Sequence, residues 1–166
     1  PLSAARRVGR RLGRIAYYIV PRVRTIGLAN LNLAYGDTIS DQEKQDILME
    51  SMENLGILVA EFAHMPKVRT GGRERLVEFK GLEYLDPEKG GFMVGAHFCN
   101  WEWMVGSLSA LDYKKVGVVR PLRDPRLNDA IEKLRGGADV TIVDKKNGGA
   151  QLIKAVREGH LAGALI

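Results

Sequence analysis

The chain has a single cysteine, six prolines, only 7% aromatic residues and three histidines. One cysteine excludes an internal disulfide and any disulfide-stapled scaffold; it is compatible with a reducing compartment without establishing one. Low-complexity tracts are missing, and with 45% hydrophobic and 27% charged residues the composition excludes disorder and collagen-like structure. No uninterrupted apolar run approaches the roughly 20 residues that span a bilayer. The best are the short stretches Ile15–Val20 and Ile57–Ala60. The chain opens on Pro1 and closes on the apolar run Ala164-Leu165-Ile166, which reads as a fragment of a longer protein.

Acidic residues are also missing from one end. No acid precedes Asp37, while Arg6, Arg7, Arg10, Arg11, Arg14, Arg22 and Arg24 all do. The net charge of +5 therefore belongs to the first 36 residues, and the rest is slightly acidic. At 166 residues, a compact chain buries about 70% of its unfolded surface, enough for one well-cored domain or part of a larger one.

On a helical wheel Ala5, Val8, Leu12, Ile15, Ala16 and Ile19 share one face, and Arg6, Arg7, Arg10, Arg11 and Arg14 share the other. This predicts a basic amphipathic helix stopped at Pro21. Such a helix lies in a membrane interface with its arginines drawn to anionic headgroups, or else docks as an ordinary helix with a solvated face. A second helix is expected from Val23 to Tyr35, ending at Gly36. A third begins with Ser40-Asp41-Gln42-Glu43, which reads as a capping box, and carries Leu48, Met52, Leu55, Val59 and Phe62 at helical spacing. Residues 1–66 are thus expected as a helical part, read as membrane-associating.

Residues 77–166 change period. Short strands are expected at Val77–Lys80, Phe92–Ala96, Lys115–Val119, Val140–Val143 and Leu161–Ile166, alternating with helices at Trp101–Ala110, Pro125–Leu134 and Gly149–Glu158. This alternation predicts an α/β fold, N-terminal helices followed by β-α units on a largely parallel or mixed sheet, incomplete at the C-terminus. Ligands of such sheets bind beyond the carboxyl ends of the strands, which directs attention to the loops after Ala96, Val119 and Val143.

The first of these loops reads Ala96-His97-Phe98-Cys99-Asn100-Trp101-Glu102-Trp103. Asn100 is a helix N-cap by type and place, and five residues across a strand-to-helix bend bring Glu102 back toward His97. A carboxylate there fixes the imidazole tautomer while the other ring nitrogen takes a proton from a hydroxyl. A structural histidine and a helix-start glutamate account for the same spacing. Trp101, Trp103 and Phe98 read either as walls of an apolar tunnel or as core. Cys99 raises a nucleophilic cysteine route, against which its closeness to His97 argues, since neighbours at that spacing point apart. The single cysteine with His64, His97 and His160 shows no zinc-ligand spacing. His64 and His160 read as structural. Asn147-Gly148-Gly149 looks like a phosphate-binding turn without any nucleotide fingerprint.

The run His97-Phe98-Cys99-Asn100-Trp101-Glu102, preceded by Phe79-Lys80-Gly81 and Gly91–Ala96, resembles the lipid A biosynthesis acyltransferases, the lauroyl and myristoyl late acyltransferase family of Gram-negative bacteria. Val119-Arg120-Pro121 with Asp124-Pro125, Arg135, Ala155-Val156-Arg157-Glu158-Gly159, Ala29–Tyr35, and Asn54-Leu55-Gly56 with Glu61 extend the resemblance over most of the chain. It implies transfer of a fatty acyl group to a hydroxyl of a glycolipid precursor at the cytoplasmic face of the inner membrane. The donor is an acyl-carrier-protein or coenzyme A thioester, and no cofactor is required. His97 is then the general base and Glu102 its orienting carboxylate. Arg120 holds an anionic group or the developing oxyanion, with Asn100 and Trp101 beside the substrate. The implied partners are acyl carrier protein, a glycolipid acceptor and the membrane. Two departures stand out: members usually carry a membrane-spanning N-terminal helix, and they continue well past the position of Ile166.

Acylation of a phosphatidylinositol mannoside or another glycolipid is the alternative within the family. A peripheral protein that binds anionic lipid and does no chemistry is the alternative of another class. Arg123, Arg126, Lys145 and Lys146 read as solvated loop charges. Nucleic-acid binding is disfavoured because the arginines form a stripe with an apolar back.

Overall fold

A computed structural model describes residues 1–67, 76–86, 88–108, 111, 113–118, 124–135, 140–143 and 148–165. The chain divides into two compact units, Pro1–His64 and Met65–Ile166.

The first unit is three helices, α1 (Leu2–Ile19), α2 (Pro21–Tyr35) and α3 (Asp41–Phe62). Pro21, expected only to stop α1, also opens α2 at its first position, where its missing N–H has no helical partner to lose. The capping box is formed. Ser40 Oγ accepts from the Glu43 N–H at 3.2 Å, and Glu43 Oε2 accepts from the Ser40 N–H at 2.8 Å. A side-chain cap of this kind contributes about 1 kcal/mol.

α1 packs on α3 antiparallel, but not through its apolar face. The contact is a seam of small residues, with Gly9 against Gly56 and Ala60, and Gly13 against the backbone at Met52 and Glu53. Glycines let the two backbones approach closely, and charged pairs line one side of the seam: Arg6 with Glu61 at 2.5 Å, and Arg14 with Glu53 at 3.1 Å. Arg10 Nε lies 3.9 Å from the same Glu53. Tyr17 is buried, with Arg24 over its ring. Val8, Leu12, Ile15 and Ile19 stay exposed. Both halves of the wheel are thus partly reassigned: three arginines bind the helix pair together and the apolar stripe faces out. No helix among the described residues is long and apolar enough to cross a membrane.

The second unit is α/β. A short helix α4 (Met65–Lys67) precedes β1 (Gly91–Gly95), α5 (Trp101–Ser107), β2 (Lys115–Val118), α6 (Pro125–Arg135), β3 (Val140–Val143), α7 (Gly148–Arg157) and β4 (Leu161–Leu165). The four strands are all parallel, in the order β1-β4-β2-β3. β4 is inserted between β1 and β2, which suits its continuous run of small and apolar residues, Leu161-Ala162-Gly163-Ala164-Leu165. With this strand order, the right-handed rule for parallel crossovers assigns α5 and α6 to one face and α7 to the other. Under α7, Val116, Leu152, Ala155 and Ala162 form the core, with Val118 and Val156 against them. On the opposite side the fully buried Met65 packs against Gly106 of α5.

α7 ends in a Schellman turn. The Gly159 N–H donates to Val156 O at 3.0 Å and the His160 N–H to Ala155 O at 2.9 Å, with Gly159 at φ +80°, a conformation glycine adopts without penalty. That turn returns the chain directly into β4. Val77–Lys80, expected as a strand, is irregular. Val77 and Phe79 are half-buried between exposed neighbours, but no strand among the described residues pairs with the segment, and alternation without a ladder makes no sheet.

Candidate active site

Because all four strands are parallel, their carboxyl ends, from Gly95, Val118, Val143 and Leu165, lie along one edge of the sheet. His97 stands two residues past the end of β1. The Phe98 N–H donates to Ala96 O at 2.7 Å, closing a tight turn around His97 that leaves its ring exposed at this edge. Cys99 then takes φ +52°, and Asn100 starts α5: its Oδ1 accepts from the Trp103 N–H at 2.9 Å. Strand, reversal and cap therefore follow within five residues, and Glu102 falls in the first turn of the new helix.

The His97 ring packs edge-on against Trp101, with centroids 5.2 Å apart and planes at 62°. This contact limits how the imidazole rotates. Among the described residues no hydrogen bond joins His97 to Glu102, although the two stand close in sequence at the same end of the sheet. Asn100 acts through its cap, which fixes the turn that carries Glu102. Cys99 is exposed. His64 is structural, its Nδ1 3.0 Å from Ala60 O. His160 is part of the α7–β4 turn and accepts the Gly91 N–H at 3.1 Å through its carbonyl. Arg120, Arg123, Lys145, Lys146 and Asn147 lie outside the described residues. Arg126 is exposed, its N–H donating to Asp124 Oδ1 at the start of α6.

The sequence reading missed a cavity of about 100 Å³ between α5 and the sheet. Its walls are apolar: Met104, Val105 and Leu108 from the helix, and Met93, Gly95, Gly117 and Gly163 from β1, β2 and β4. Met93, Gly163 and Gly117 stand in register across the three strands, so the row is low where side chains would otherwise fill the space under α5. The cavity extends from Gly95, Val118 and Ala164 at the carboxyl ends down to Leu161 and Lys115. Lys115 is buried there with its ammonium on two carbonyls, Leu111 O at 2.8 Å and Tyr113 O at 2.7 Å, which balances its charge by hydrogen bonding. A glycine in each of Met93-Val94-Gly95, Val116-Gly117-Val118 and Ala162-Gly163-Ala164 was the available signal, but only the strand order brings those strands side by side.

A parallel α/β sheet with a histidine and a carboxylate at its carboxyl edge, above an apolar hollow, has the layout of an enzyme that works on a partly apolar substrate. The whole chain, residues 1–166, matches the family model of the bacterial lipid A biosynthesis acyltransferases, and the chain belongs to that family. Family membership makes it an acyltransferase of lipid A biosynthesis in general terms. No curated protein matches the chain.

Proposed function

We propose that this acyltransferase moves a fatty acyl group from an acyl-carrier-protein thioester to a hydroxyl of a lipid A precursor at the cytoplasmic face of the inner membrane. The carrying observation is His97 exposed past the carboxyl end of β1, with Glu102 in the first turn of α5, in a chain matched end to end by the family. His97 takes the proton of the acceptor hydroxyl as its oxygen attacks the thioester carbonyl. The tetrahedral intermediate collapses with cleavage of the C–S bond, and the imidazolium returns the proton to the departing thiolate. The ester forms with no covalent acyl-enzyme, and the atoms balance without a cofactor. Glu102 holds the imidazole tautomer and stabilises the imidazolium; Asn100 and Trp101 position these two groups. Arg120 is assigned to the donor's or acceptor's anionic group or to the oxyanion. The hollow under α5 takes part of the acyl chain.

The test is thiol release from acyl carrier protein, with and without a lipid A precursor, comparing wild type with His97→Ala. Release that requires the acceptor and is lost in the variant supports the reading. Replacing the donor by acyl-coenzyme A decides the carrier. Equal release in both proteins sinks His97 as base, and no release with any glycolipid acceptor, with binding to vesicles retained, leaves a lipid-binding protein without chemistry.

A further inference from the structure

The helical unit leaves an apolar surface uncovered, and its position is set by how α1 and α3 meet. The pairing of Arg6 with Glu61 and of Arg14 with Glu53 makes the helices antiparallel. In an antiparallel pair, residues displaced to the same rotational sense from the contact line fall on the same side of the seam. Arg6, Arg10 and Arg14 of α1 thus share one side with Glu53 and Glu61 of α3. Val8, Leu12, Ile15 and Ile19 share the other with Leu55 and Val59. All six are exposed, Val59 at 61%, Leu12 at 59% and Ile19 at 70%, so the helical unit itself leaves them uncovered.

Charge follows the same division. Glu43, Asp46, Glu50, Glu53 and Glu61 lie on the half of α3 that meets the arginines; Asp41, the acid on the apolar side, is at the far end of the helix and is bonded to Lys44 at 3.1 Å. Arg11 borders the α1 stripe with Arg7 beyond it, both exposed. An apolar face with few acids and an arginine edge complements a surface that is apolar inside and negative at its rim, which is an anionic bilayer.

We infer that the face formed by Val8, Leu12, Ile15, Ile19, Leu55 and Val59 lies on an anionic lipid membrane, while Arg6, Arg10 and Arg14 hold α1 to α3 and point away from the lipid. This deepens the reading of an enzyme working at a membrane by naming the surface that meets it. It differs from a lone amphipathic helix in that α3 supplies part of the face and three of the five α1 arginines do not reach headgroups.

The test is co-sedimentation of the whole chain with vesicles of phosphatidylcholine containing 30% phosphatidylglycerol. Leu12→Glu with Ile15→Glu places charge on exposed positions and is expected to weaken binding at least tenfold with helicity unchanged by circular dichroism. Arg11→Gln is expected to weaken it about fivefold, only with the anionic lipid. Arg10→Gln is expected to leave it within about twofold. In a Cys99→Ser background, a polarity-sensitive dye on Val59→Cys is expected to shift blue with vesicles, and on Asn54→Cys, which faces away from α1, it is not. Unchanged binding of the Leu12/Ile15 variant, or both dyes remaining in water while the chain is bound, would overturn the inference. So would self-association that the same variant dissolves in a chain that ignores vesicles, since the face is then an interface between copies. Thiol release measured with detergent-dispersed acceptor separates this from the proposed chemistry: a chain that binds through this face and releases no thiol keeps the surface and loses the reaction.

Discussion

Gly9 of α1 and Gly56 of α3 face each other so closely that a Cβ on either would fall on the other's carbonyl oxygen. A glycine in an exposed helix interior costs about 1 kcal/mol relative to alanine, so the usual effect of Gly→Ala is stabilising. Here the sign reverses. Gly9→Ala is expected to destabilise the helical unit by about 1–3 kcal/mol, the range for overpacking a close contact. Gly149, early in α7, has open space around its would-be Cβ, and Gly149→Ala is expected to be neutral or stabilising. Thermal unfolding of both variants checks the contrast. A Gly9→Ala protein as stable as wild type would mean that the seam can open enough to admit a methyl group.

Gly163 sits in the row that leaves the hollow under α5, and a Cβ there would meet nothing nearer than 4.0 Å, at Met93 Cε and Val116 O. Gly163→Ala is therefore expected to fold normally, and Gly163→Leu to fill the cavity of about 100 Å³. If the acyl chain enters this space, both variants shift preference toward shorter donors, the leucine more strongly. Competing acyl donors of different length, with products resolved by mass spectrometry, read this directly. An unchanged product profile from a folded leucine variant would place the chain elsewhere.

How much of this was legible in the sequence depended on what kind of residue made each contact. The cap of α3 was readable because Ser40 and Glu43 bond within one turn. The strand–helix alternation after Gly91 was readable because β-branched and apolar runs leave a clear period. The helix contacts were not. Leu48 is buried as its spacing predicts, yet Leu55 and Val59 of the same stripe are exposed, because α3 meets α1 through glycine and alanine. Hydropathy is blind to a contact made by missing side chains. The same blindness hid the hollow: Gly95, Gly117 and Gly163 are ordinary strand glycines until the order β1-β4-β2 brings their strands together. Val77–Lys80 alternated like a strand but had no ladder to join. His97 and Glu102 could be singled out because both sit beside a cap and a strand end, features of local sequence.

The cap also titrates. The Ser40 backbone N–H, and after it the Ser40 hydroxyl, donate to Glu43 and hold its pKa below the usual carboxylate value. A folded pKa below the unfolded one contributes stability that is complete above the unfolded value and is lost as pH falls through the folded value. The α3 start is therefore expected to weaken on acidification below the usual carboxylate range, and Glu43→Gln to remove that part of the dependence. Thermal unfolding across pH 7 to about 3, wild type against variant, tests this. Parallel curves would mean that Glu43 has no differential proton affinity between the folded and unfolded chain.

The tight turn before α5 separates two chemical routes. Cys99 is exposed and held at φ +52°, a conformation that costs a non-glycine residue about 1–2 kcal/mol. Cys99→Gly is thus expected to stabilise the protein. Direct attack by the acceptor, with His97 as base, needs no thiol, so the same variant is expected to retain thiol release. His97→Ala is expected to lose about 10²- to 10⁴-fold, the range for removing a general base. Glu102→Gln is expected to lose less, because a glutamine can accept the ring N–H in the substrate complex but cannot stabilise its positive charge. The opposite ordering is equally readable. A Cys99→Gly protein that folds but cannot transfer, together with a hydroxylamine-sensitive acyl adduct on the wild type, would move the nucleophile to the cysteine and leave His97 as its activating base.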